Sequence, residues 1–305
     1  MATYLIRRLL LVVVTVWGVM TILFGLQLVA GEPTLVLLPP DATEQARQAL
    51  AHALGLNRPL PVRYLDFLWH TLTGNLGLSW KFNQPALGII LEALPATAVL
   101  TATSLALGLV VAVPLGILAA IHRNSWIDTV ASGVAVLGQS MPVYWSGLLL
   151  ILLFSTTLRL LPSMGAGSPA ALILPAVTLG FNTVARIERI TRASMLEVLG
   201  QDYIRTLRAK GVPERAVLFR HGLRNASVPI VSMVGLQLGA LLGGAVLIET
   251  VFAWPGVGRL AVNAVYARDF PVVHAAALVV TLTFCLVNLL VDLLCAGLNP
   301  QIRLD

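Results

Sequence analysis

Apolar residues dominate six long stretches of the chain, at 9–30, 96–120, 130–153, 170–185, 228–248 and 272–297. A hydrocarbon core of about 30 Å is crossed by some 20 helical residues, so each stretch predicts a membrane-spanning helix. The fourth is short, roughly 24 Å at 1.5 Å per residue, and is expected to continue as a helix past Arg186, whose long stem can snorkel. The first follows Arg7-Arg8 and outruns the apolar core of a secretory signal, so it reads as an uncleaved span; Val29-Ala30-Gly31 offers small residues where a cut would fall.

Between the first two stretches, residues 32–92 are polar and proline-punctuated and read as an excursion out of the bilayer. They predict one short helix. Asp41 is placed to cap it, Glu44 completes a capping-box spacing, and Gly55 stops it after the Leu50/Leu54 face.

Composition agrees with this pattern. Hydrophobic residues make up 57% and charged residues 11% of the 305, well below the roughly 25% charged of a soluble domain. Charge then sets the orientation. With both termini on the inner side, thirteen of the twenty basic residues fall inside, and so does the whole net charge of +6. Cys285 and Cys295 lie roughly 15 Å apart along the last helix, too far to bond, and read as small apolar fillers. The length suits a single transmembrane domain, 1–305, with the excursion at 31–93 and a long inner loop at 186–225.

The chain carries no nucleotide loop of its own. Its two lysines, Lys81 and Lys210, lie outside any G-x-x-x-x-G-K-[ST] pattern, so ATP would have to be hydrolysed by another chain. Coupling to an ion would call for acids at depth, whereas Glu92, Asp128, Glu249 and Asp292 fall at the ends of the apolar stretches. The histidines (His52, His70, His122, His221, His274) fall outside the stretches or at their edges. A stand-alone secondary carrier and an intramembrane enzyme remain as competing readings, each lacking its own site.

The inner loop holds nine of the thirteen inner basic residues. Leu196, Leu199, Tyr203 and Leu207 recur at helical spacing against Glu197, Gln201, Arg205 and Arg208, which predicts one amphipathic helix. Gly211 is placed to end it in a left-handed cap, and Pro213 to start a second helix that ends near Arg224. Such a pair suits docking in a partner's groove, and it equally suits an anionic lipid surface. In the fifth stretch Gly235, Gly239 and Gly243 repeat every four residues and predict close helix packing, within this chain or against a second subunit. Gln139-Ser140-Met141-Pro142 interrupts the third stretch. It reads either as a proline kink satisfied locally or, with Asn182 and Gln237, as the polar lining of a path.

Blocks along nearly the whole chain resemble the permease subunits of bacterial dipeptide and oligopeptide ABC importers. They include Tyr4-Leu5-Ile6-Arg7-Arg8, Leu54-Gly55-Leu56-Asn57-Arg58-Pro59-Leu60, Gly74-Asn75-Leu76-Gly77, Leu94-Pro95-Ala96-Thr97, the run from Met195 to Thr206, and Glu249-Thr250-Val251-Phe252-Ala253-Trp254-Pro255-Gly256-Val257-Gly258. The resemblance implies an all-α polytopic fold of six transmembrane helices, of the type I ABC importer permease kind. It implies a non-catalytic subunit in the inner membrane with both termini cytoplasmic. A second homologous permease would pair with it as a heterodimer around the path, two ATPase subunits would carry ATP and magnesium, and an external binding protein would deliver the cargo; no nucleic acid is involved. Relatives move dipeptides, longer peptides, glutathione, nickel chelates or haem. The loop matches the family's ATPase-coupling loop at Asp202, Tyr203, Arg205, Thr206, Leu207, Lys210 and Gly211. Laid on Gly211, the family's E-A-A triplet falls on Arg205, Thr206 and Leu207, a departure that removes the salt bridge its first acid would make.

Overall fold

A computed structural model describes residues 2–29, 34–39 and 41–298. Arg303, counted above on the inner side, and the Cys295 side chain lie outside the described residues. Among the described residues the structure is helical almost throughout, and five helices are long and apolar enough to cross a membrane. A sixth span exists if the bent pair Trp126–Ser140 and Val143–Thr157 crosses as one. By internal packing the chain divides into two compact units, Met1–Pro95 with Gly256–Cys285, and Ala96–Pro255 with Leu286–Asp305.

The first unit holds α1 (Ala2–Val29), α2 (Thr34–Leu37), α3 (Glu44–Ala53), α4 (Leu60–Thr73) and the beginning of α5 (Ala86–Ile121). The capping of α3 differs from the expectation. Thr43, not Asp41, is the N-cap, its hydroxyl accepting from Ala46 N at 3.3 Å, and Gly55 takes a φ of +67° just past the end. Thr43 wins because its hydroxyl stands three residues before a free N–H, the distance a cap requires. The α4 helix is a second element that periodicity did not predict. Its signals are Pro59 and Pro61 at the start and left-handed Gly74 at the stop. It packs on α1 through Phe24, whose ring lies 5.3 Å from Tyr64 and 5.4 Å from Phe67, while Thr21 and Tyr64 share a 2.7 Å hydrogen bond. The unit's core joins Ala86, Ile90 and Ala93 of α5 to Val257 and Ala264 of α11 (Val257–Tyr266) and to Val272, Ala275 and Val279 of α12 (Phe270–Leu298). Asp269, just before α12, ties down the loop that precedes α5. Its carboxylate accepts from Ser79 Oγ at 2.5 Å and from the backbone N–H groups of Trp80 and Lys81.

The second unit is built around α8 (Ile173–Leu199), of whose most apolar stretch 61% is buried, against 6% for α1. The 3-10 turn Pro169–Leu172 precedes it, and the helix runs on well past Arg186, as expected of a short apolar stretch. Close approach to α5 makes it central. An ideal Cβ on Gly180 would stand 2.8 Å from Ser104 O, and one on Gly116 would stand 2.7 Å from Thr191 Cβ. Small residues thus let two backbones meet here, where lipid offers no hydrophobic drive to hold them. The core is completed by α10 (Arg224–Val251), with Leu100, Leu174, Leu179, Leu241, Ile248 and Phe252 in one cluster and Ala112, Ile187, Met195, Val198, Ala226 and Ile230 in another.

The third apolar stretch is broken rather than kinked. Between α6 (Trp126–Ser140) and the helix Val143–Thr157, made of α7 (Val143–Leu150) and the π-helical stretch after it, the axis turns by 105°. Pro142 lacks an N–H and forces Met141 into an extended conformation, φ −86° and ψ 130°, so the helical hydrogen-bond ladder stops there.

Candidate functional site

The loop at 186–225 is assembled differently from the single amphipathic helix expected. The chain leaves helical geometry at Gln201, just past the C-cap Gly200, and a separate α9 (Asp202–Ala209) follows. Leu196 and Leu199 therefore sit on α8, and Tyr203 and Leu207 on α9. The second helix expected from Pro213 is also not independent. A helical turn at Glu214 passes through the π-helical stretch Ala216–Leu223 straight into α10.

The end of α9 is tightly specified. Gly211 takes a φ of +77°, its N–H bonds Arg208 O at 3.0 Å and that of Val212 bonds Leu207 O at 3.1 Å, the paired bonds of a Schellman stop. Across the stop Arg208 grips Glu214 through Nε and Nη2, at 3.1 and 2.6 Å. That hydrogen bonding holds the Glu214 carboxyl below its usual carboxylate value and raises Arg208. Ile204, fully buried, anchors α9 from below. Tyr203, half-buried, fixes it sideways: its hydroxyl accepts from Asn225 Nδ2 at 2.7 Å. Asp202, Arg205, Thr206, Arg208, Lys210 and Gly211 are left exposed on one polar ridge, with Leu207 half-buried beside them. A rigid, polar, solvent-facing turn results.

At the break of the third stretch, Gln139 and Ser140 are exposed and Met141 is half-buried. Arg189 of α8 donates to Gln139 Oε1 at 2.9 Å, and Asn182 Nδ2 to Gly138 O at 3.4 Å. Arg189 and Asn182 of α8 thus both reach the last turn of α6. Gln237 is buried on α10.

Burial and pairing of several titratable groups were not legible from sequence position. Glu249, read as a helix-end acid, is fully buried and accepts from Thr97 Oγ1 at 2.5 Å. His274, read at an edge, is buried in α12 with its ring 4.9 Å from that of Phe67. Asp128 forms a two-bond pair with Arg192, at 2.6 and 2.8 Å, from 64 residues away. Glu188, on the buried face of α8, drew no attention as sequence because it lies among arginines. The three glycines of α10 also part company. A Cβ on Gly235 would come within 2.0 Å of Val291 Cγ1 on α12, Gly239 is half-buried, and Gly243 is exposed with nothing within 4 Å.

Residues 112–304 match the family model described as the binding-protein-dependent transport system inner membrane component. The chain is 42% identical over 304 residues to the glutathione transport system permease protein GsiC of Escherichia coli (strain K12), covering 99% of each, and equally to that of Salmonella choleraesuis (strain SC-B67). Among solved structures it is similar to a chain of the MetNI methionine ABC transporter in an inward-facing conformation, with a TM-score of 0.62 and 19% identity. That match covers 70% of this chain and 98% of the other.

Proposed function

The chain belongs to the family of inner membrane components of binding-protein-dependent transport systems, and from that premise we propose that it pairs with a second, homologous permease to form a path for peptides of the dipeptide and oligopeptide class. It is a multi-pass permease subunit of an ABC importer and is itself non-catalytic; separate ATPase subunits hydrolyse ATP. Membership excludes the stand-alone secondary carrier and the intramembrane enzyme. The observation that carries the peptide reading is 42% identity, over 99% of the chain, to permeases named for glutathione, a tripeptide.

In this reading 1–305 is one permease domain with both termini cytoplasmic, and 31–93 is the external excursion that receives the binding protein. The ridge Asp202, Tyr203, Arg205, Thr206, Leu207, Lys210 and Gly211 seats in a groove of an ATPase subunit. A rigid turn supports this, because displacement passes through a stiff element and is lost in a floppy one. Gln139, Ser140, Met141, Asn182 and Gln237 line the path, and the exposed Gly243, with Gly239, faces the second permease.

The test is uptake by the complex reconstituted in proteoliposomes from this chain, its second permease, the ATPases and the cognate binding protein. Labelled dipeptides, a tetrapeptide and glutathione are each offered. Accumulation of at least one of them that requires both ATP and the binding protein is expected. Transport of nickel chelates or haem with none of the peptides carried would overturn the reading.

A further inference from the structure

Arg192 is one cation between two carboxylates. On one side it is held by Asp128 of α6 through Nε and Nη2, at 2.6 and 2.8 Å. On the other, Glu188 lies one helical turn earlier on α8, 1% exposed, and neither of its oxygens accepts a hydrogen bond. The charges acting on it are those of Arg192, Asp128 and Arg189. Arg189 is already engaged with Gln139.

A buried carboxylate without a partner is among the costliest arrangements a protein interior holds. No neighbouring side chain donates to it in this structure. Thr191 Oγ1 beside it is fully buried and also without a partner, and α5 presses so closely on this face that a Cβ on Gly116 would stand 2.8 Å from Glu188 O. The group able to satisfy Glu188 is Arg192, at the i+4 position where opposite charges on one helix meet. Asp128 holds the Nε–Nη2 edge of its guanidinium turned away from Glu188, neither of whose oxygens it bonds. We propose that Glu188 is the second acceptor of Arg192: when α6 and α8 part during the transport cycle, the guanidinium leaves Asp128 and closes on Glu188, so the pair works as a two-position latch. Asp128, at the N-terminal end of α6, then meets solvent and the backbone N–H of Asn124, which already donates to it at 3.0 Å.

The latch sits where loop motion arrives. Gly200 N still bonds Leu196 O and Gln201 N bonds Val198 O, so α8 is tied directly to the start of α9. A push on the ridge therefore turns the helix that carries both Glu188 and Arg192. In this scheme Glu188 is a positioning residue, acting through Arg192 on the balance between two conformations.

The two acids must then work in opposite directions, which a merely structural role for either does not predict. Spin labels on the exposed positions Val130 and Ala193, in the full complex with Cys285 and Cys295 replaced, report the separation of α6 and α8. Asp128→Asn is expected to raise the separated population and Glu188→Gln to lower it, each by roughly threefold or more, with the double variant near the parent. Where Asp128→Asn fails to assemble, Arg192→Lys replaces it, because a single ammonium cannot hold the two-bond pair. It too is expected to raise the separated population. Equal distance distributions in Glu188→Gln and the parent, or shifts of the same sign in both acid variants, would overturn the latch. Labelled distances do not depend on cargo, so this outcome is separate from that of the peptide reading.

Discussion

Gly235→Ala tests whether α10 and α12 are in contact as tightly as the structure has them. The added Cβ would stand 2.0 Å from Val291 Cγ1 and 3.1 Å from Val291 Cβ. Carbon atoms rest about 3.5 to 4.0 Å apart, so the methyl is short of space by about 1.5 Å at least. Rotating Val291 moves Cγ1 but leaves its Cβ about 0.5 Å too close, and a β-branched side chain on a helix has one strongly preferred rotamer. The helices must therefore separate or Val291 must leave its rotamer, at about 1–3 kcal/mol, the usual cost of overpacking. The assay is thermal inactivation of the detergent-solubilised complex, scanned at one fixed rate because unfolding of such assemblies is a kinetic event. Gly235→Ala should inactivate several degrees lower. Val291→Ala, which removes both γ-methyls, should recover most of the loss, with a coupling of about 0.5–3 kcal/mol between the sites. Gly88→Ala, in α5, serves as the internal control, since nothing lies within 4 Å of its Cβ, and no loss is expected. Unchanged stability of Gly235→Ala, or equal losses in it and in Gly235→Ala/Val291→Ala, would refute the contact.

The stop at Gly211 is open, with nothing within 4 Å of an added Cβ, so Gly211→Val acts through its φ of +77° alone and should cost about 1–2 kcal/mol of loop order. ATP hydrolysis that no longer drives uptake, with the chain still inserted, is the outcome to look for in proteoliposomes; normal uptake argues for a lipid-surface role. Glu214 is held below its usual carboxylate value, so its pairing with Arg208 contributes above that usual value and is lost as the pH falls through the lowered one. Loop order read by hydrogen exchange should therefore loosen only in acid. Glu214→Gln should change it little at neutral pH, because both side chains are about half exposed and the pair is screened by water and salt. Single cysteines at Asn83, Arg159 and Gly211 in a background lacking Cys285 and Cys295 report topology in intact cells. Impermeant reagent should label the first two and spare Gly211, and the reverse pattern would invert the orientation.

Much of this protein is written locally. Six apolar runs name a membrane protein because the length of bilayer to be crossed is a property of each run by itself. Gly55 and Gly211 foretold left-handed stops, and Pro142 a disturbance of its helix though not a full break, because backbone sterics act over two or three residues. Tertiary structure decided the remainder. No pattern announces that Asp128 meets Arg192, that Glu188 is buried without a hydrogen bond, or that Gly235 meets Val291 while Gly243 faces open space. Nor does one reveal the turn of 105° that follows α6, or the step between α8 and α9 that divides the expected amphipathic helix. The physical reason lies in the solvent. In water an apolar stripe marks the buried face of a helix, but lipid tails are as apolar as leucine, so lipid-facing and protein-facing sides read alike and only three-dimensional packing tells them apart.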